Sequence, residues 1–271
     1  VLLQSSAFDG GKEAGQTVAA LKKGAVQSLP DCVTLCEGVT LEEVQAVFER
    51  VTDNTVWLRN AQETGIISRG SMFKGQRVTY AQAVYEIGMD LQINPVILAS
   101  RIVQEQGYGK SPLISGTYVF TLEDTADSFN GYYNYFNMEA TEGGGNPNKE
   151  KIIINGLREA YRERWDTRYK ALYGGAEKFR QKFIERYQLT YYLQKFNIDN
   201  RSNGLFWRQY MQAILAPQSE SKTTYSSYVK NETLDLERSF IIPVFNNMPE
   251  EPCPEPVTDG NPNNRLASIK V

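Results

Sequence analysis

The chain of 271 residues contains no histidine. That one absence removes Ser-His-Asp and Cys-His nucleophilic systems, His-ligated metal sites and imidazole acid–base chemistry together. An enzyme built on this sequence must draw its proton donor from Glu, Asp, Tyr or Lys. Cysteine is scarce as well: Cys32 and Cys36 stand four apart, and Cys253 lies far away in a Pro-rich stretch. One disulfide with a spare thiol and three unrelated thiols fit equally. With no His partner and no fourth Cys, a zinc site is not expected. Charge of one sign is also lacking. Twenty-nine Lys and Arg face 32 Asp and Glu, a net of −3, so no global positive field draws in nucleic acid or an anionic membrane. No apolar run approaches the roughly 20 residues of a membrane span, and residues 1–20 lack the three-part pattern of a signal peptide. Gly143-Gly144-Gly145 lacks the Lys-Ser/Thr of a phosphate loop and reads as a hinge.

What is present is a mainly α sequence. At 41% hydrophobic the chain can bury a full core. Thr40-Leu41-Glu42-Glu43 and Thr79-Tyr80-Ala81-Gln82 are capping boxes that open helices running to about Val51 and Leu91. Further helices are expected at about 13–28, 95–106, 150–165, 175–188 and 203–215, the last ended by Pro217. The strand-like runs are Thr117–Leu122 and Ser239–Phe245. The basic run from Lys149 to Arg186 is interleaved with acids and reads as a solvated surface. Organisation is expected as a helical N-terminal extension over residues 1–75 packing on a main body at 76–248, with a Pro-rich extended tail at 249–271.

The helix at 95–106 has an acid at its last turn. Asn94-Pro95 supplies its start and Gly107 its stop. Leu98, Ile102 and Glu105 follow i, i+4, i+7 spacing, so the acid continues an apolar stripe. The negative end of the helix dipole and apolar neighbours both favour the neutral carboxylic acid, the form that donates a proton to a leaving oxygen. The alternative is a Glu that merely bonds Gln104, Tyr108 or a backbone N–H. A second block, Phe129-Asn130-Gly131-Tyr132-Tyr133-Asn134-Tyr135-Phe136-Asn137, mixes large rings with amides. Sugars call for that mixture, because their C–H faces pack on rings while their hydroxyl and acetamido groups bond amides. A packing segment beneath the acidic helix is the alternative.

These blocks together resemble family 73 of the glycoside hydrolases, the endo-β-N-acetylglucosaminidases of bacterial cell-wall autolysins. The resemblance rests on Ala99-Ser100-Arg101-Ile102 running into Gln104-Glu105-Gln106-Gly107, then Ser111-Pro112-Leu113-Ile114-Ser115-Gly116, then Gly131 to Asn137. Asn155-Gly156-Leu157, Tyr192 to Asn197, Gln209-Tyr210-Met211 and Ile242-Pro243-Val244 follow in order, and the similarity covers roughly residues 78–249. Three departures stand out. The family's usual Asn-Ile-Gly-Ala is Asn137-Met138-Glu139-Ala140 here, its Gly-Gln-Asn-Thr is Tyr187-Gln188-Leu189-Thr190, and its His-Gln-Tyr-Met is Arg208-Gln209-Tyr210-Met211.

The resemblance implies a helical fold like goose-type lysozyme with a small β or loop lobe beside a cleft. It implies hydrolysis of the β-1,4 bond between N-acetylglucosamine and N-acetylmuramic acid in peptidoglycan, outside the cell at the bacterial wall, with no cofactor. Glu105 is the expected general acid. For the second catalytic group Glu123 is the first choice, with Asp124, Asp127 and the substrate's own 2-acetamido oxygen as alternatives. Tyr132, Tyr133 and Tyr135 are expected groove walls, and Asn134 and Asn137 are expected to bind acetamido or hydroxyl groups. Tyr187 and Tyr192 fall where the resemblance places a Tyr near the reaction centre, and Gln188 is an expected substrate contact. The partner is the peptidoglycan glycan strand. A muramidase or lytic transglycosylase on the same scaffold, or a glycan-binding module without turnover, are the competing readings.

Overall fold

The computed structural model describes residues 38–49, 65–119, 129–142, 148–199, 201, 202, 204–207, 217, 220, 221, 225 and 229. The α-helices that lie wholly within those residues are, in chain order, α1 (Leu41–Phe48), α2 (Tyr80–Leu91), α3 (Pro95–Glu105), α4 (Lys149–Arg162), α5 (Arg168–Lys182) and α6 (Tyr191–Phe196). A two-residue antiparallel hairpin, β1 (Ile66–Ile67) with β2 (Arg77–Val78), pairs Ile66 with Val78. The mainly α class is therefore what the chain adopts.

Local chemistry sets the helix starts. Thr40 and Thr79 each close a full capping box, with Glu43 and Gln82 reaching back to the cap N–H. Asn94 accepts from the Val96 N–H, and Pro95 occupies the first turn of α3. Thr167 caps α5, so that helix begins seven residues before its expected start at 175. Residues 204–207 form a turn where the helix at 203–215 was expected to begin, and the rest of that span lies outside the described residues. Thr117 to Val119 are not strand. The helix expected at 13–28, the strand at Ser239–Phe245, the three cysteines and the tail at 249–271 lie outside the described residues.

One core joins these elements. Val44, Val47 and Phe48 of α1, Val84 and Ile87 of α2, Leu98 and Ile102 of α3 and Leu172 and Phe179 of α5 belong to a single buried cluster, each no more than 6% exposed. Burying such side chains contributes about 1.5–3 kcal/mol apiece before entropy. The hairpin spans residues 75 and 76, and its loop is bonded to α2 through Met72 and Phe73. Glu86, fully buried in α2, accepts from Ser68 Oγ (2.5 Å), Met72 N (2.8 Å), Phe73 N (2.6 Å) and Tyr169 Oη (3.0 Å). Four donors are what a buried carboxylate needs to offset its lost hydration.

Candidate active site

Helix α3 is buried over Pro95–Val103, and exposure begins at Gln104 and Glu105. The stripe continues as expected through Leu98 (1% exposed) and Ile102 (0%), and then delivers Glu105 half-buried at the rim. A Schellman motif ends the helix. The Gly107 N–H donates to Gln104 O (3.1 Å), the Tyr108 N–H donates to Val103 O (2.8 Å), and Gly107 sits at φ 53°. Helix termination thus places the acid where the core gives way to solvent.

The loop 131–138 lies against this end. Asn137 Nδ2 donates both to Glu105 Oε2 (2.7 Å) and to the Glu105 backbone oxygen (2.9 Å). Its Oδ1 accepts from Gln106 Nε2 at 2.9 Å, and the same nitrogen donates to Tyr135 O at 2.9 Å. The fully buried Gln106 therefore fixes which end of the Asn137 amide faces the acid. Gln106 Oε1 is buried with no hydrogen-bond partner among the described residues, a cost of about 1–3 kcal/mol. Asn137 itself holds φ 50°, which Asn tolerates better than most residues. Costs of this kind concentrate where geometry is dictated by more than packing.

Other side chains of the aromatic block divide sharply. Tyr132 and Tyr133 are half-buried. Tyr132 leans on Tyr161 of α4 (centroids 5.2 Å apart), and the Arg168 guanidinium stands 4.7 Å above the Tyr133 ring. Tyr135 is fully buried, its hydroxyl 2.9 Å from that of Tyr80 and its ring stacked on Tyr133. Burial raises both the Tyr80 and the Tyr135 hydroxyl above the ordinary tyrosine value, so neither serves as a base near neutrality. Asn134 is fully buried too. Its Nδ2 donates to Met138 O (2.8 Å) and Gly156 O (2.9 Å), and its Oδ1 accepts from the Met138 N–H (3.0 Å).

Four of the expected contact residues are buried. Tyr135 and Asn134 belong to the interior because their polar atoms are committed to holding the loop against α2 and α4. Gln188 is fully buried, and its Nε2 donates to Leu193 O (3.2 Å) and Gln194 O (3.4 Å), serving the turn into α6. Tyr192, 5% exposed, packs on Phe196 with centroids 4.8 Å apart. Tyr187 is 44% exposed, with Arg201 4.8 Å over its ring. Glu123, Asp124 and Asp127 lie outside the described residues. Among the described residues no group of acids or cysteines has the arrangement of a metal site, and no helix is long and apolar enough to cross a membrane.

Two departures from the family pattern acquire a physical meaning. Glu139 and Tyr187 stand where that pattern has glycine, and they hold φ 56° and 60°. An L-residue in that conformation costs about 1–2 kcal/mol, so this backbone keeps a glycine's conformation without the glycine. Lys182, 3.0 Å from the Glu139 carboxylate, draws that group below its usual range by hydrogen bonding and charge. Gln106 and Arg168 were not singled out from the sequence as site residues. The signal for Gln106 was its place directly after the acid at the helix end.

Comparison with protein-family models gives no match, and comparison with curated proteins gives none. Among solved structures, the chain is similar to Staphylococcus aureus autolysin E in complex with the muropeptide NAM-L-Ala-D-iGlu: 21% identity over 74% of this chain and 71% of that one, TM-score 0.47. A catalytic mutant of that autolysin in complex with the disaccharide NAG-NAM matches at 20% identity over 74% and 72%, TM-score 0.46. Staphylococcus aureus glucosaminidase B matches at 19% identity over 86% and 80%, TM-score 0.49.

Proposed function

We propose that this chain is a cell-wall glycoside hydrolase, an endo-β-N-acetylglucosaminidase that cleaves the β-1,4 bond between N-acetylglucosamine and N-acetylmuramic acid. The observation that carries the reading is the helix-end Glu105, half-buried and gripped by the Asn137 amide at 2.7 Å. A rim carboxyl in contact with an amide-rich, ring-bearing loop meets the two demands of glycan cleavage: a proton for the leaving oxygen and a surface for the sugar. The half-buried rings of Tyr132 and Tyr133 are assigned to that surface.

In this reading Glu105, in its neutral form, donates its proton to the glycosidic oxygen as the C–O bond breaks. The carboxylate left behind is negative, and the Asn137 hydrogen bond strengthens as that charge builds. It therefore favours the transition state over the ground state, which is the condition for an interaction to raise kcat. The oxocarbenium-like centre is then relieved either by water activated at an acid of the segment around Glu123 or by the substrate's own acetamido oxygen. No step of this scheme calls for an imidazole, in keeping with a chain that has no histidine.

The experiment is digestion of purified peptidoglycan, borohydride reduction and mass spectrometry of the fragments. Reduced N-acetylglucosamine ends are expected. Reduced muramic acid ends would assign a muramidase instead, and anhydro ends a lytic transglycosylase.

A further inference from the structure

Helix α2 runs from Tyr80, whose hydroxyl meets Tyr135 beside the Glu105 site, to Asp90 and Leu91 at its other end. At that second end a cleft of about 990 Å³ opens between the hairpin loop and the corner joining α4 to α5. Neither Glu105 nor Asn137, Tyr132 or Tyr133 lines it. Its size is on the order of a site for a small organic ligand or a short peptide.

The walls are fixed in advance. Arg69 and Lys74 ride on the loop whose Ser68, Met72 and Phe73 all bond the buried Glu86. Asp90 binds the Ser71 backbone N–H at 3.1 Å and also its hydroxyl. Gly70 packs so closely that a Cβ there would collide with the Glu86 carboxyl and the Tyr169 hydroxyl. Opposite, Arg164 ends α4 at φ 57°, a left-handed position usually given to glycine. Trp165 is buried beneath Gly174, which likewise has no room for a Cβ.

The charges of the cleft are unequally committed. Lys170 is held by Asp166 (2.5 Å), and Lys178 by Glu159 (2.5 Å) and Glu163 (2.9 Å). Arg69, Lys74 and Arg164 are exposed and form no salt bridge among the described residues. Three uncommitted cations therefore face acids that are mostly engaged, the exposed Glu177 apart. A pure polyanion would meet Glu163, Glu177 and Asp90 as like charges at every pass. A short peptide carrying carboxylates and one amine satisfies both signs, with Arg forks suited to its carboxylates and the half-buried Tyr173 ring beneath its carbon chain.

We propose that this cleft, apart from the Glu105 site, binds an acidic peptide bearing a free amine, of the kind that branches from muramic acid. The identity of the peptide as a wall stem rests on the function proposed above, whereas peptide binding does not.

The test is calorimetric titration of the full chain carrying Glu105→Gln, so that binding is read without turnover. The probe is the synthetic peptide N-acetyl-L-Ala-D-iGlu-L-Lys-D-Ala, with two carboxylates and one amine. We expect saturable binding that weakens with salt and falls at least about tenfold when Arg69→Gln and Arg164→Gln are added, as for two lost charge contacts. Thermal unfolding of that variant is expected to match its parent. With Glu105 restored, the two Arg substitutions should raise KM on intact peptidoglycan about tenfold and leave peptide-stripped strands unaffected. No binding, equal binding by the double variant, or tighter binding of poly(glycerol phosphate) than of the peptide would overturn the proposal. Peptide binding in a chain that fails to cut glycan would keep this cleft and reject the hydrolase.

Discussion

Removing the amide that grips Glu105 tests the arrangement at the helix end in a quantitative way. Asn137→Ala deletes two hydrogen bonds to Glu105, at 2.7 and 2.9 Å, and leaves Gln106 Nε2 with only Tyr135 O. It also places a Cβ-bearing residue without a local polar partner at φ 50°. The bond to the carboxylate is worth about 1.5–3 kcal/mol, the range for a charged partner. Because that bond strengthens as the proton leaves, its loss falls mainly on the transition state, and kcat should drop about 10- to 150-fold. Backbone strain adds about 1 kcal/mol to the stability cost of the Ala variant. Asn137→Gly separates the two effects, since glycine accepts the left-handed backbone while still lacking the amide. The assay is initial-rate turnover of purified peptidoglycan for both variants, with urea unfolding of each. The reasoning predicts equal loss of kcat in both and smaller destabilisation in the Gly variant. Wild-type kcat for Asn137→Gly would refute the role given to the amide.

Other consequences are as direct. Asn134→Leu removes three hydrogen bonds from a fully buried position, so urea unfolding should show a loss of about 2–4 kcal/mol with glycan affinity per folded molecule unchanged; weakened glycan binding at full stability would return Asn134 to the ligand surface. The Tyr80 and Tyr135 hydroxyls are raised in the folded chain by burial, so their contribution is intact below the unfolded value near 10 and is lost as pH rises beyond it. Tyr135→Phe should flatten that alkaline limb in a pH series of thermal midpoints, and an unchanged limb would count against the buried pair. Glu139→Gly should leave stability within about 0.5 kcal/mol, because relief of about 1 kcal/mol of left-handed strain is offset by a half-exposed ion pair and by unfolded-state entropy. A loss beyond about 1.5 kcal/mol in chemical denaturation would deny that balance.

How much of this was legible in the sequence follows from how local each signal is. Capping boxes, Asn-Pro and a terminal Gly are statements about one turn of backbone, and they placed α1, α2 and α3 within a few residues. The start of α5 was missed because Gly174-Gly175 weakens a helical pattern. In the fold these glycines exist for contact, admitting Trp165 and Phe136 where a Cβ would clash. The β1–β2 hairpin, with two residues a side, is too short for any alternation to register.

At the candidate site, the acid at the end of an apolar stripe was readable from spacing. Which members of the aromatic block face outward was not. Tyr132 and Tyr135, like Asn134 and Asn137, are the same residue types three positions apart, and only the paths of α2 and α4 decide that Tyr135 and Asn134 turn inward. The role of Gln106, read only as part of a motif, was hidden for the same reason. Its part depends on the return of residues 135 and 137 to the end of α3, a contact some thirty positions distant along the chain.

The most direct measurement is turnover of purified peptidoglycan by Glu105→Gln beside the unaltered chain, with unfolding midpoints to show that both are folded. Glutamine keeps the shape and an oxygen for Asn137 while removing the transferable proton. Activity is predicted to fall by at least about 10²-fold, the lower range for losing a general acid. Retention of full activity by a folded Glu105→Gln chain would contradict the account.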